Sequence, residues 1–262
     1  MNRESKNLLF MKKFLVIIPV YNEENAINEV ARKTVTNCKD FADIVFINDG
    51  SSDNSTGILN NLKTIYPFLE VIHKSKNEGY GSSLITGFNL GIQKKYEFMI
   101  TMDCDDQHQP EDLLRFYNFD SKIDVVSGSR YMPGSNSSGI PAPKDRVEIN
   151  QRITLNLNDK YSMSLTDSFC GYKRYRTERI KNHDFSELGY AFPMEFWAYS
   201  CKKRLAIQEI PVNRIYVTDD RSFGEDLDKK RKRYKYYLKA WQKAHTRYFS
   251  SKLFQASGLK EK

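Results

Sequence analysis

Asp103-Cys104-Asp105 sets two carboxylates two residues apart, directly after the apolar run Phe98–Met102. Carboxylates at that spacing past a strand end can share one hard divalent cation. Mg2+ and Mn2+ take oxygen ligands and bridge substrate phosphates. Asp106, Gln107 and His108 extend the cluster. An acidic turn capping the helix after Pro110, with Asp106 as its N-terminal charge, would use the same residues without any metal. The pair alone does not separate these outcomes. Its weight depends on the elements that carry it and on the loops they bring beside it.

Phe14–Ile18 reads as a buried strand ending at Pro19. Glu24–Cys38 has helical periodicity through Ile27, Val30, Ala31 and Val35. Ile44–Ile47 reads as a second buried strand, followed by the polar turn Asn48–Asp53. Ser55–Tyr66 is predicted helical, with Ile58, Leu59, Leu62 and Ile65 on one face. A short strand is expected over Glu70–His73, a glycine-containing loop over Asn77–Gly81 and a helix over Ser82–Lys94. The strand Phe98–Met102, a helix over 111–118 and a strand around Val125-Val126 follow. This alternation predicts an α/β domain with a parallel sheet. Ligands bind such sheets at the carboxyl ends of the strands. The polar clusters at 19–23, 48–53, 77–81 and 103–108 should therefore converge on one edge.

Beyond residue 130 the character changes. Met132–Lys144 is rich in Pro, Gly and Ser and is predicted to be a mobile loop. Helices are expected over 145–160 and Phe192–Lys203, and one or two strands over Ile207–Val217. A basic helix is expected from Leu227 to Phe249, with Leu227, Tyr234, Leu238, Trp241, His245 and Tyr248 near one face. Its Lys229–Arg233 run can lie on an anionic membrane surface. The plainer outcome packs Tyr234, Leu238 and Trp241 on the core and leaves the charges in solvent.

The 262 residues are 40% hydrophobic and 28% charged, enough for a sizeable core. A net charge of +8 points to anionic partners. No nucleic-acid recognition motif accompanies it. Cys38, Cys104, Cys170 and Cys201 form no CxxC, which argues against a zinc site or a disulfide framework and for free thiols in a reducing cytoplasm. Phe14–Ile18 is too short for a signal or a membrane span, and no other window is long enough. The first strand leads into Pro-Val-Tyr-Asn-Glu and not into G-x-G-x-x-G, which disfavours a dinucleotide-dependent dehydrogenase.

Pro19-Val20-Tyr21-Asn22-Glu23 resembles the P-x-Y-N-E motif of the family 2 glycosyltransferases, which have the GT-A fold. Asn48–Asp53 is similar to their D/N-D-G-S-x-D turn, and Asn77-Glu78-Gly79-Tyr80-Gly81 to their N-x-G-x-G loop. Met102–His108 resembles the M-D-x-D-x-Q-H form of the dolichol-phosphate mannose synthase branch, and Gly128-Ser129-Arg130-Tyr131 its G-S-R-Y. These ordered motifs span about residues 14–131.

The resemblance implies a Rossmann-like, mainly parallel sheet flanked by helices. It implies inverting transfer from a nucleoside-diphosphate sugar of the GDP-mannose or UDP-glucose type. Pro19, Tyr21, Glu23, Asp49 and Gly79 would line the nucleotide pocket, Asp49 at the base or ribose. Asn48 replaces the aspartate of many relatives and leaves the base open. Asp103 and Asp105 would hold Mg2+ or Mn2+ and the diphosphate, with Gln107 as an extra ligand. Asp167-Ser168-Phe169-Cys170-Gly171-Tyr172 resembles an acceptor-side D-x-x-S-G-F segment, with Cys170 at the serine position. Asp167 is thus a candidate base or acceptor-orienting group, with a structural aspartate as the alternative.

Tyr190–Glu195 is similar to a helix start that brings a carboxylate near the acceptor, and Arg221-Ser222-Phe223-Gly224 to an R-x-x-G segment. Arg130, Arg146 and Arg221 are candidate phosphate ligands. The implied acceptor is a polyprenyl phosphate, whose attacking oxygen is already anionic. A soluble or protein acceptor, and a non-catalytic nucleotide-sugar-binding module, are the rival readings. The expected organisation is a catalytic domain over 1–225, with a donor half about 14–131 and an acceptor half about 132–225, then a basic helix and tail over 226–262. The expected location is cytoplasmic and peripheral on the inner face of the membrane, with the oligomeric state open.

Overall fold

The structure, a computed structural model, describes residues 13–216 and 226–250. The chain lays down β1 (Phe14–Val20), α1 (Ile27–Cys38), β2 (Ala42–Asn48), α2 (Ser55–Ile65), β3 (Glu70–His73), α3 (Tyr80–Gln93) and β4 (Phe98–Thr101). A 3₁₀ turn over Pro110–Asp112 leads into α4 (Leu113–Asn118) and β5 (Val125–Ser129). Then come β6 (Ser137–Gly139), α5 (Lys144–Tyr161), β7 (Lys173–Arg176), the short α6 (Thr177–Ile180) and α7 (Phe192–Lys203). The strands β8 (Ile207–Pro211) and β9 (Arg214–Tyr216) precede α8 (Lys230–Phe249).

The main sheet has the order β3-β2-β1-β4-β7-β5-β8, and only β7 runs antiparallel to its neighbours. Side chains of a strand alternate between faces, and β1 divides accordingly. Leu15 and Ile17 join a core cluster with α3, α5, α7 and α8. Phe14, Val16, Ile18 and Val20 join a second cluster with α1, α2 and α4. The sheet is thus the middle layer of a helix–sheet–helix sandwich, the α/β architecture expected from the alternation.

Strand β7 was not predicted, and its composition explains why. Lys173-Arg174-Tyr175-Arg176 carries three cations, yet it runs between β4 and β5 with Lys173 and Arg174 buried. Each charge is met locally. The Lys173 ammonium donates to the Cys170 carbonyl and sits 5.3 Å from the Trp197 ring centroid. Arg174 donates to the carbonyls of Phe116, Phe119, Asp120 and Ile123, which caps the loop after α4.

The segment 132–144, expected as a loop, contains β6, which pairs in parallel with β9. The basic helix starts at Lys230 and not at Leu227. Its buried seam is Arg233, Tyr237, Ala240 and Ala244, one step round from the predicted face. The small alanines let α8 approach α7, while Tyr234, Leu238 and Trp241 pack along the margins. Among the described residues no helix is long and apolar enough to cross a membrane, and all four cysteines are free thiols.

Candidate active site

The strand registers bring the ends of β1, β2, β3, β4 and β5, and the start of β7, to one edge of the sheet. The loops that follow line a cleft of about 990 Å³. That volume lies at the upper end for small-molecule sites, which run to about 1,000 Å³. It has room for a nucleotide sugar together with part of a second substrate.

The first two loops are laced together. Asn22 has φ +56°, a left-handed conformation that asparagine tolerates. Its Oδ1 accepts from the Ser52 amide at 2.8 Å, and its own amide donates to Ser51 Oγ at 3.0 Å. The Glu23 and Glu24 amides donate to Ser55 Oγ and Asp53 Oδ2, each at 3.0 Å. Ser51, Ser52 and Asp53 therefore build the loops, Pro19, Tyr21 and Glu23 line the cleft, and Asn22 does both.

Asp49, also in the lining, ties the second loop to the third. Its Oδ1 accepts from Lys74 Nζ at 2.9 Å and its Oδ2 from the Gly79 amide at 2.8 Å. Gly79 has φ +103°, a conformation that side-chain-bearing residues rarely adopt. Asn48 faces inward, donating to Thr56 Oγ1 and hydrogen-bonding His73 Nδ1.

Asp103, Asp105 and Gln107 all line the cleft. Asp103 Oδ1 accepts from the Tyr80 hydroxyl at 2.9 Å. The Asp103 amide donates to His108 Nδ1 at 3.0 Å, so the ring proton of neutral His108 is on Nε2, 3.8 Å from Cys170 Sγ. Burial pushes the His108 pKa down, against the opposing charge of Asp103, so the ring is neutral and serves as a brace behind the loop. The Gln107 amide donates to Asp105 Oδ1 at 3.1 Å.

Among the described residues no three His, Cys, Asp or Glu side chains cluster to enclose a metal. Two carboxylates and a side-chain amide lining an open cleft instead fit a hard cation that keeps positions for phosphate oxygens, as Mg2+ and Mn2+ do.

Gly171 leaves space for this group. A Cβ there would lie 2.6 Å from Asp103 Oδ2 and 2.7 Å from the Tyr80 hydroxyl. Both contacts are side-chain tips that can swing away, so the fold should accept Gly171→Ala while Asp103 is displaced. With Asp103 read as a metal-holding carboxylate, a shift of about 1 Å can lower turnover by up to about 100-fold. That loss, with an unfolding midpoint close to wild type, is the expected result. Wild-type turnover would show that Asp103 needs no such space.

Across β7 the lining turns cationic and aromatic, with Arg130, Arg146 and Arg233 beside Tyr131, Tyr216 and Tyr237. Arg146 sits 6.0 Å from the Tyr216 ring centroid. Arg233, from α8, donates to the Asp145 carboxylate and to the Leu227 carbonyl. Sequence reasoning missed Arg233 as a cleft residue. Its position in helical phase with Tyr237, Ala240 and Ala244 is the signal that marks it as buried.

Two expected carboxylates are not in the cleft lining. Asp167 is fully buried. Its oxygens accept from Arg130 Nε (2.7 Å), Arg130 Nη2 (3.1 Å), Asn150 Nδ2 (2.7 Å) and the amides of Arg130, Phe169 and Cys170. Burial alone would raise its pKa, but Arg130 and these hydrogen bonds hold it well below the usual carboxylate range. A group so engaged is poorly suited to act as a base. Glu195, expected near the acceptor, turns away: it accepts from the Ser186 and Glu187 amides and from Arg247. Arg221 lies outside the described residues.

The Glycosyl transferase family 2 model matches residues 15–180. An undecaprenyl-phosphate mannosyltransferase of Micrococcus luteus is 27% identical over 220 residues, covering 81% of this chain and 86% of the relative. A polyprenol monophosphomannose synthase of Mycolicibacterium smegmatis is 27% identical over 206 residues, 77% of each chain. The solved structure of glucosyl-3-phosphoglycerate synthase from Mycobacterium tuberculosis, in complex with Mn2+, UDP and glucosyl-3-phosphoglycerate, superposes with a TM-score of 0.63 at 16% identity. The likeness covers 89% of this chain and 80% of that one and shows a shared fold.

Proposed function

The chain belongs to the family 2 glycosyltransferases, and on that premise we propose that it moves a sugar from a nucleoside diphosphate to a polyprenyl phosphate. The observation that carries this reading is the two-sided cleft. Carboxylates from the β4 loop lie on one side, and three arginines set among aromatic rings lie on the other. The similarity to two bacterial polyprenyl-phosphate mannosyltransferases supports the same acceptor class.

In this reading Pro19, Tyr21, Glu23, Asp49 and Gly79 form the nucleotide's walls. Asp103 and Asp105, with Gln107, would hold Mg2+ or Mn2+. Bound there, the metal would neutralise charge developing on the leaving diphosphate. Arg130 and Arg146 orient the acceptor phosphate by charge-assisted hydrogen bonds, and Tyr131, Tyr216 and Tyr237 pack on the start of its apolar tail. An acceptor oxygen attacks the anomeric carbon as the carbon–oxygen bond to the diphosphate breaks, which inverts that centre. The phosphate is already ionised, so no protein base is required, and the locked state of Asp167 is compatible with that. Asp167 acts here by holding Arg130 in place.

The test is transfer of labelled sugar from GDP-mannose, UDP-glucose and UDP-N-acetylglucosamine to undecaprenyl phosphate with Mg2+ or Mn2+. Label should enter the organic-extractable product. Label that moves only to water-soluble acceptors would overturn the lipid reading. Arg146→Ala should raise the acceptor KM about 10-fold or more, the scale of one hydrogen bond to a charged group. Its donor KM should stay near wild type.

A peripheral position at an anionic membrane draws support from α8. Arg231, Lys235, Lys239 and Lys243 are exposed at four-residue spacing, opposite the buried seam. Co-sedimentation with phosphatidylglycerol vesicles that weakens with salt is expected. No difference between anionic and neutral vesicles would remove this part of the reading.

A further inference from the structure

The family match ends at residue 180, yet the donor side of the cleft rests on chain beyond it. A Cβ on Gly79 would lie 2.4 Å from the Leu188 carbonyl oxygen, and one on Gly81 would lie 2.3 Å from that of Glu187. The Ser82 amide donates to the Leu188 carbonyl at 3.0 Å. Tyr80, between these glycines, stacks on Tyr190 with ring centroids 6.1 Å apart and planes at 18°. The backbone over 187–190 is therefore the floor on which the Tyr80 loop is seated, and the Tyr80 hydroxyl holds Asp103 Oδ1.

That floor is held in turn from α8. The Tyr236 hydroxyl donates to Glu187 Oε1 at 2.9 Å and accepts from the Ala191 amide at 3.2 Å. Glu187 Oε1 also accepts from the Gly189 amide at 3.2 Å, closing a small ring. A Cβ on Gly189 would come within 2.3 Å of the Tyr236 hydroxyl. Further along the helix, Arg247 and Tyr248 donate to Glu195, which anchors the Ser186 and Glu187 amides. The helix thus grips both ends of the segment that carries the donor loop.

We propose that α8 belongs to the donor site, and that Tyr236 is a positioning residue which sets Tyr80, and through it Asp103, by way of Glu187 and the 188–190 backbone. The inference rests on the reading of Asp103 as a metal–diphosphate carboxylate. Tyr236 acts only through other residues: it shapes how well the cation and diphosphate are held, not the bond-breaking step. A merely structural role would lower the unfolding midpoint and leave metal affinity of the folded protein unchanged.

The test uses the full chain. UDP and GDP are titrated calorimetrically into Tyr236→Phe at a series of Mn2+ concentrations, with thermal unfolding measured beside it. The Mn2+ needed for half-maximal nucleotide binding should rise about 10-fold, the lower end of what loss of a supporting hydrogen bond does to a metal site. Glu187→Ala should give the same shift and serves if Tyr236→Phe does not fold. Glu187→Gln, which keeps an oxygen acceptor, should stay near wild type. The double variant Tyr236→Phe/Glu187→Ala should shift no further than either single, since both act in one chain of contacts. Wild-type Mn2+ dependence in folded Tyr236→Phe or Glu187→Ala overturns the proposal. Asp103→Asn separates the two levels. If it leaves Mn2+ dependence intact, the reading of Asp103 falls and the inference with it. If it removes that dependence while Tyr236→Phe is silent, only the positioning role falls.

Discussion

Asp105→Ala, and separately Asp103→Asn, should lower metal-dependent turnover of the donor sugar by about 1,000-fold or more. A bound cation contributes several kcal/mol of charge stabilisation, and each 1.36 kcal/mol is tenfold in rate. On the proposed reading the protein would supply few of the cation's ligands, because among the described residues no group of three His, Cys, Asp or Glu side chains is placed to hold a metal. Losing either carboxylate would remove one of the two negatively charged ligands and leave the other with the neutral Gln107 amide. Asp103→Asn is the cleaner change: its amide oxygen still accepts from Tyr80, so the loop should keep its shape. The assay is initial rate against Mn2+ and Mg2+ concentration at saturating donor. Unchanged turnover in Asp105→Ala, or a rate that never depended on metal, would remove the metal assignment.

Much of this arrangement is legible in the residues themselves. The runs at Phe14, Ile44 and Phe98 are apolar because parallel strands are covered on both faces, and that makes them legible. The loops after them carry Pro, Asn, Asp and Gly because tight turns and left-handed backbone need those types. Asn22 and Gly50 bear this out at φ +56° and +67°. Strand β7 stayed hidden because its charges are satisfied only by tertiary partners: the Cys170 carbonyl, the Trp197 ring and four carbonyls around residues 116–123. Glu195 misled for a related reason. A carboxylate near a helix start suits an active site and a buried anchor equally, and only the positions of Arg247 and Tyr248 separate the two. Likewise Arg233 reads as one more cation in a basic run until the helix is seen to bury it against Asp145.

The second large effect concerns Asp167. Asp167→Asn should destabilise the protein by about 3–5 kcal/mol, the scale of breaking one side of a buried ion pair. The substitution is nearly isosteric, so no cavity explains the loss. If the new side-chain oxygen faces the Asn150, Phe169 and Cys170 donors, the new NH2 faces the Arg130 amide and Nε, which are donors themselves. Reversing the amide moves the conflict to the other side. Arg130 would lose its counter-charge while mostly shielded from water, and should swing out of the cleft wall. Urea denaturation at neutral pH measures the stability term. The pH dependence supplies an independent check. Because folding depresses the Asp167 pKa, its contribution is present above the unfolded value of about 4 and is lost as pH falls below it. Wild type should therefore lose stability progressively below about pH 4, and Asp167→Asn should show a shallower loss over the same range. A variant as stable as wild type at pH 7, with the same acid slope, would mean that Arg130 is held by something other than this carboxylate.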